Sequence, residues 1–255
     1  VKQGAEDFRV ARNGTILAGA EHEECFAYVE DCFEKVAAIG DGDLDCPVSA
    51  LFPFRGKWHD FFEANFIAKQ GMPLDQSSAL DFARYVWEGD DWPVLDGFGA
   101  LIARHAEEIP VELETPATRI SWGGRQGVTV ETPRGALDAR AAIVAVSTGV
   151  LAIERLRFSP ALPDWKQQAI DDLPLGSCNK VALGFTRNPF GDLDTVMLMP
   201  DLGPGPSVEF VVREGGRNVV TAMLNGPHAK DLGAEGGRAN ADYALAQLVA
   251  LFSIV

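Results

Sequence analysis

The chain has 255 residues, 47% hydrophobic and 23% charged, which suits one or two globular domains with a real core. Its 22 basic and 37 acidic residues leave a net charge of −15, the wrong sign for a nucleic-acid binder and compatible with a cationic substrate. No apolar run reaches the ~18 residues of a membrane span. The four cysteines, at 25, 32, 46 and 178, form no C-x-x-C pair, which argues against a zinc site or a disulfide framework.

Asn13-Gly14 reads as a turn. From Glu21 to Ile39, Phe26, Val29, Phe33 and Val36 fall on one helical face, and Cys25 and Cys32 share a face as semi-buried thiols. The acidic turn from Gly40 to Asp45 lacks calcium-loop spacing. Leu51 to Phe66 carries Phe52, Phe54, Trp58, Phe61, Phe62 and Phe66, which read as helical core, with an aromatic substrate wall as the alternative. Ser77 or Ser78 caps a helix expected to reach Glu88, and Asp90 to Pro93 ends it. Asp96-Gly97-Phe98-Gly99 opens another helix, with Leu101, Ile102 and His105 on one side.

Short strands are expected next at Val111 to Glu114, Thr118 to Trp122, Val128 to Glu131 and Ala141 to Val146, the last buried on both faces. Gly123-Gly124 and Pro133-Arg134-Gly135 read as turns. Pro163 to Asp172 is a helix with proline in its first turn. Strands follow at Asn179 to Phe185, Thr195 to Met199, Val208 to Val212 and Asn218 to Leu224, and Ala239 to Phe252 is a final helix. Glu209 and Arg213 look solvated, whereas Lys180, alone among apolar neighbours, looks inward.

The stretch from Ala141 to Phe185 holds three motifs in order: Ala145 to Leu151, Arg157 to Lys166, and Asn179-Lys180-Val181. Together they resemble the flavin-containing amine oxidase family, with weaker similarity from about Phe61 to Phe252. The resemblance implies an α+β protein: a discontinuous substrate-binding domain, a mixed sheet flanked by helices, plus a partial α/β FAD-binding domain. Residues 1–92 and 158–255 would form the substrate domain, and 93–157 the middle of the FAD-binding domain. It implies FAD as cofactor and a small-molecule amine or amino acid as substrate. By position it makes Lys180 catalytic and brings Ala117, Val146, Ser147 and Thr148 to the cofactor, with no metal.

The chain has no G-x-G-x-x-G, so the expectation is an internal fragment, inactive alone and not retaining FAD, capable of self-association and cytoplasmic. Val146-Ser147-Thr148 replaces the family's Val-Pro-Leu. Where some polyamine oxidases carry an acid, this sequence has Ala68-Lys69-Gln70, so a diamine-type substrate is not supported, despite the net charge. Two alternatives remain open: a flavin-dependent carbon–carbon desaturase or porphyrinogen oxidase, and a non-catalytic binding module on the same scaffold.

Overall fold

The computed structural model describes residues 8–12, 15–85, 94, 96–124, 127–191, 193, 196–200, 207–213 and 216–252. In chain order its elements are β1 (Phe8–Arg12), β2 (Thr15–Ile16), α1 (Gly19–Ala37), α2 (His59–Gln70), α3 (Ala79–Arg84) and α4 (Phe98–His105). Then come β3 (Arg119–Gly124), β4 (Gly127–Thr132), β5 (Gly135–Ala139), α5 (Thr148–Ala152), β6 (Arg157–Ser159) and α6 (Asp164–Asp171). The last are β7 (Cys178–Gly184), β8 (Val196–Pro200), β9 (Ser207–Val212), β10 (Val219–Asn225), α7 (Gly226–Glu235) and α8 (Gly237–Phe252). The fold is α+β, and the chain divides into two compact units: Val1–Pro93 with Gly176–Val255, and Val94–Leu175.

The first unit is built on a six-stranded sheet in the order β2-β1-β8-β9-β10-β7. Only the β1–β8 pairing is parallel. Period-two alternation gives the inner strands one apolar face: Val208, Phe210 and Val212 on β9, and Val220, Ala222 and Leu224 on β10, are all buried. This face packs against Ala229 and Leu232 of α7 and Ala244 and Leu248 of α8. The opposite face meets α2, where the Ser207 hydroxyl donates to the Ala64 carbonyl at 2.7 Å. α2 lies close enough that a Cβ on Gly226, at φ 74°, would stand 2.5 Å from Ile67 Cγ2. Only glycine fits there.

α1, α2 and α3 enclose a second core of Cys32, Val36, Phe62, Phe66, Leu74 and Ala79. Phe33 stacks on Phe66 and Phe82 beside it, with centroids 6.4 and 5.8 Å away. Val10, Leu17, Cys25, Trp58 and Phe61 form a third core. The α1 helix therefore presents Cys25, Cys32 and Val36 as its buried ridge, while Phe26, Val29 and Phe33 pack on its flank. The two thiols are fully buried rather than semi-buried. The aromatic segment is core, apart from the 89% exposed Phe54. α3 is capped by Ser78, whose Oγ accepts from the Asp81 amide at 2.9 Å. It ends at Arg84, short of Glu88, because Tyr85 turns extended. The Arg84 guanidinium is held by the carbonyls of Gly40 and Gly42. The expected turn at Asn13-Gly14 and stop at Asp90 to Pro93 lie outside the described residues.

The second unit carries a four-stranded sheet ordered β5-β4-β3-β6, with β6 parallel to β3. Ile120, Leu156 and Ile170 are its buried apolar side chains among the described residues. Two expected strands do not form. Val111 to Glu114 is irregular and ends in a left-handed Glu114 at φ 54°. Ala141 to Val146 is irregular and exposed, with Ile143 96% accessible. An apolar, β-branched run makes a strand only where an edge is there to pair with it, and no described strand pairs with this one. β5 and β6, polar enough to escape the periodicity reading, occupy the sheet edges instead.

Candidate active site

Lys180 lies on β7, the edge strand of the larger sheet. Its expected inward orientation is not found: the burial pattern of β7 alternates, and Lys180 falls on the exposed side with Cys178 and Ala182. The neighbouring Asn179 points the other way. Its amide donates to the Ala229 carbonyl at 2.6 Å and to Asn240 Oδ1 at 2.8 Å. Asn240 in turn donates to the carbonyls of Leu232 and Gly236. This buried network ties β7 to α7 and α8 and fixes which residues of the strand face outward. The start of β7 is also fixed, since the Ser177 amide donates to the Gly71 carbonyl at the C-terminal cap of α2.

The same sheet face carries an acid. Met223 of β10 pairs with Lys180 on one side and with Glu209 of β9 on the other. Directly paired residues point to one face, so Lys180, Met223 and Glu209 form a row across three strands. Glu209 is half-buried between its neighbours rather than solvated. Loss of water pushes its carboxyl pKa up, and Lys69 of α2 pulls it back. Among the described residues no hydrogen bond or ion pair closes on that carboxylate. Burial likewise pushes the Cys178 thiol up, while Lys180 lowers it and Glu209 raises it, which places the three groups within electrostatic reach. Lys69 also lines an apolar recess of about 400 Å³ with Phe33, Ala37, Phe82, Ala83 and Tyr85. Arg213, too, is not solvated: its guanidinium donates to the carbonyls of Leu193 and Gly216.

Sequence reasoning passed over Glu209 because one acid in an alternating strand looks like the polar side of any half-buried strand. The usable signal is its place in Ser-Val-Glu-Phe-Val-Val, between two further strands of the same sheet.

The other four predicted residues belong to the second unit. Ala117 is exposed just before β3, and its peptide makes no hydrogen bond with a described residue. Val146 is 42% exposed. Ser147 caps α5, its Oγ accepting from the Val150 amide at 3.4 Å, and Thr148 opens that helix. The extra hydroxyl of Ser147 is thus engaged by the helix end, which proline in its place would leave uncapped.

An FAD molecule needs peptide groups for its adenine end and accessible surface for its ring. The free, unshielded peptide at Ala117 and the exposed Val146–Ser147 backbone are compatible with both needs. Among the described residues no three His, Cys, Asp or Glu side chains gather as metal ligands, and no helix is long and apolar enough to cross a membrane.

Among solved structures, a redesigned triple mutant of putrescine oxidase matches with a TM-score of 0.70 at 18% identity, over 96% of this chain and 63% of that one. Cyclohexylamine oxidase from Brevibacterium oxydans matches with a TM-score of 0.68, also at 18% identity and with the same coverage. Polyamine oxidase 2 of Arabidopsis thaliana is 35% identical over 124 residues, 48% of this chain and 25% of the relative. Human lysine-specific histone demethylase 2 is 28% identical over 137 residues, 51% of this chain and 16% of the relative. The chain thus spans about a quarter or less of the length of these curated relatives. Residues 43–253 match the family described as flavin containing amine oxidoreductase, and the chain belongs to that family.

Proposed function

We propose that the protein containing this chain oxidises an amine with FAD as cofactor, and that residues 1–92 and 158–255 are its substrate domain while 93–157 belong to its FAD-binding domain. When bound, the flavin supplies a hydride acceptor at N5 for the carbon next to the amine nitrogen and is then reoxidised by oxygen to give peroxide. The single observation that supports this reading most is the outward-facing Lys180, held in register by the Asn179–Asn240 network within a family member.

In this reading Lys180 would lie beside the cofactor and assist its reoxidation. Ala117 offers its peptide to the adenine, and Val146, Ser147 and Thr148 form the loop against the ring. Family membership and the polyamine oxidase relatives favour an amine over a carbon–carbon bond as the oxidised group.

The test uses the full-length natural protein containing this chain, loaded with FAD and mixed with a panel of amines without oxygen. Bleaching of the flavin bands by an amine is the expected result. A bound flavin that no amine bleaches would overturn the reading. Lys180→Met is expected to slow turnover on the order of 10²-fold while changing FAD affinity far less. Unchanged turnover would remove Lys180 from the chemistry.

A further inference from the structure

We propose that Asn240, on α8, is a positioning residue for Lys180, which it holds on the outward face of β7 through Asn179; this rests on the role that the amine-oxidase reading above gives Lys180. The need for such a residue lies in the strand itself. β10 pairs with β7 along all seven of its residues, and no described strand pairs with its other side. A strand held from one side only is where register slips and bulges form most easily. A slip of one residue would turn Lys180 inward and Asn179 outward. The Lys180 side chain closes no hydrogen bond or ion pair with a described residue, so its placement is carried by the backbone alone. A functional group without a partner of its own is only as well placed as the element beneath it.

Asn179 is the anchor against that slip. Its amide takes one acceptor from each helix, the Ala229 carbonyl on α7 at 2.6 Å and Asn240 Oδ1 on α8 at 2.8 Å. Asn240 is 6% exposed, and its own amide donates to the carbonyls of Leu232 and Gly236 at 2.8 and 2.9 Å. With both protons engaged at the end of α7, the planar amide leaves its oxygen aimed at β7. Glycine at 233 lets α7 come this close, since a Cβ there would stand 3.3 Å from Asn179 Nδ2. Successive residues of a strand point to opposite faces, so a clamp on Asn179 sets where Lys180 points. In the step assigned to Lys180, oxygen takes two electrons from the reduced flavin, gains two protons and leaves as hydrogen peroxide. A charge misplaced by about 1 Å can slow such a step by up to ~10²-fold.

The experiment uses the full-length FAD-loaded protein with Asn240→Ala and Asn179→Ala, each made with and without Lys180→Met. The flavin is reduced with dithionite and mixed with oxygen, a measurement that needs no amine. Each asparagine variant is expected to slow reoxidation about 10-fold and to change FAD affinity little. In the Lys180→Met background neither is expected to slow it further, because the residue they position is gone. Amide hydrogen exchange, read without turnover, is expected to quicken in β7 and not in β8 or β9. Unchanged reoxidation, the same slowing in the Lys180→Met background, or exchange that quickens equally across the sheet would overturn the assignment and leave Asn240 a merely structural role. If Asn240→Ala does not fold, Asn179→Ala, which leaves Asn240 on its two carbonyls, is judged by the same criteria. Should Lys180→Met itself leave reoxidation unchanged, the role of Lys180 and this assignment fail together. Should no amine bleach the flavin while the asparagine variants slow reoxidation only where Lys180 is present, the amine-oxidase reading fails and the positioning role stands.

Discussion

His59 shows how a residue with no sequence signal acquires a physical role. It is buried between Phe52 and Phe62, and the Tyr28 hydroxyl stands 3.2 Å from its Nδ1. Burial, helped by the cation of Arg55 and opposed by Asp60, holds its pKa below the ordinary 6.5. The folded protein therefore binds fewer protons than the unfolded chain just below that value. The contribution of His59 to stability is full above pH 6.5 and is lost as pH falls toward its depressed folded pKa. Urea midpoints should fall across that window, and His59→Phe should flatten the fall; an unchanged slope in the variant would assign the pH dependence elsewhere. Glu209 works with the opposite sign, because its raised pKa makes the folded state less favourable as pH rises through and above the ordinary 4.5.

The strands and helices owe their placement to unequal sources. α1, α6, α8 and the strands β7 to β10 follow apolar periodicity, and the sequence reading located each to within a few residues, whereas α2 begins at His59, eight residues after the start of the aromatic stretch read as helical. The short α7, ending at Gly236, and the strands β5 and β6 escaped it, because pairing and packing hold them rather than their own pattern. Ala141 to Val146 fails in the other direction, a pattern without an edge to pair with. The face of β7 is decided by the amides of Asn179 and Asn240, which hydrogen-bond across two helices. Asn240→Ala would leave one Asn179 amide proton without its acceptor and remove one of two donors from each of the Leu232 and Gly236 carbonyls, and is expected to cost about 1–3 kcal/mol. Chemical denaturation of the purified protein measures this, and a loss below about 0.5 kcal/mol would show the network to be dispensable.

The two compact units differ in how much core they hold. The first encloses three buried clusters, whereas the second exposes Leu113, Leu137, Ile143 and Ile153 and buries few side chains among its described residues. Local stability follows buried contact, so opening should begin in the second unit. Brief proteolysis of this chain is expected to cut first between residues 94 and 175. First cuts within β7 to α8 would reverse that order. From its residues alone the chain determined an α+β fold, its family and the candidate Lys180, because periodicity and short motifs are local properties that one stretch carries by itself. Tertiary structure decided that Lys180 faces outward, that Ala141 to Val146 pairs with no described strand, and that Glu209 shares a sheet face with Lys180. Those outcomes depend on register between strands whose paired residues lie 14 to 43 positions apart in sequence (Glu209 with Met223, Lys180 with Met223), where a shift of one residue turns every side chain to the other face.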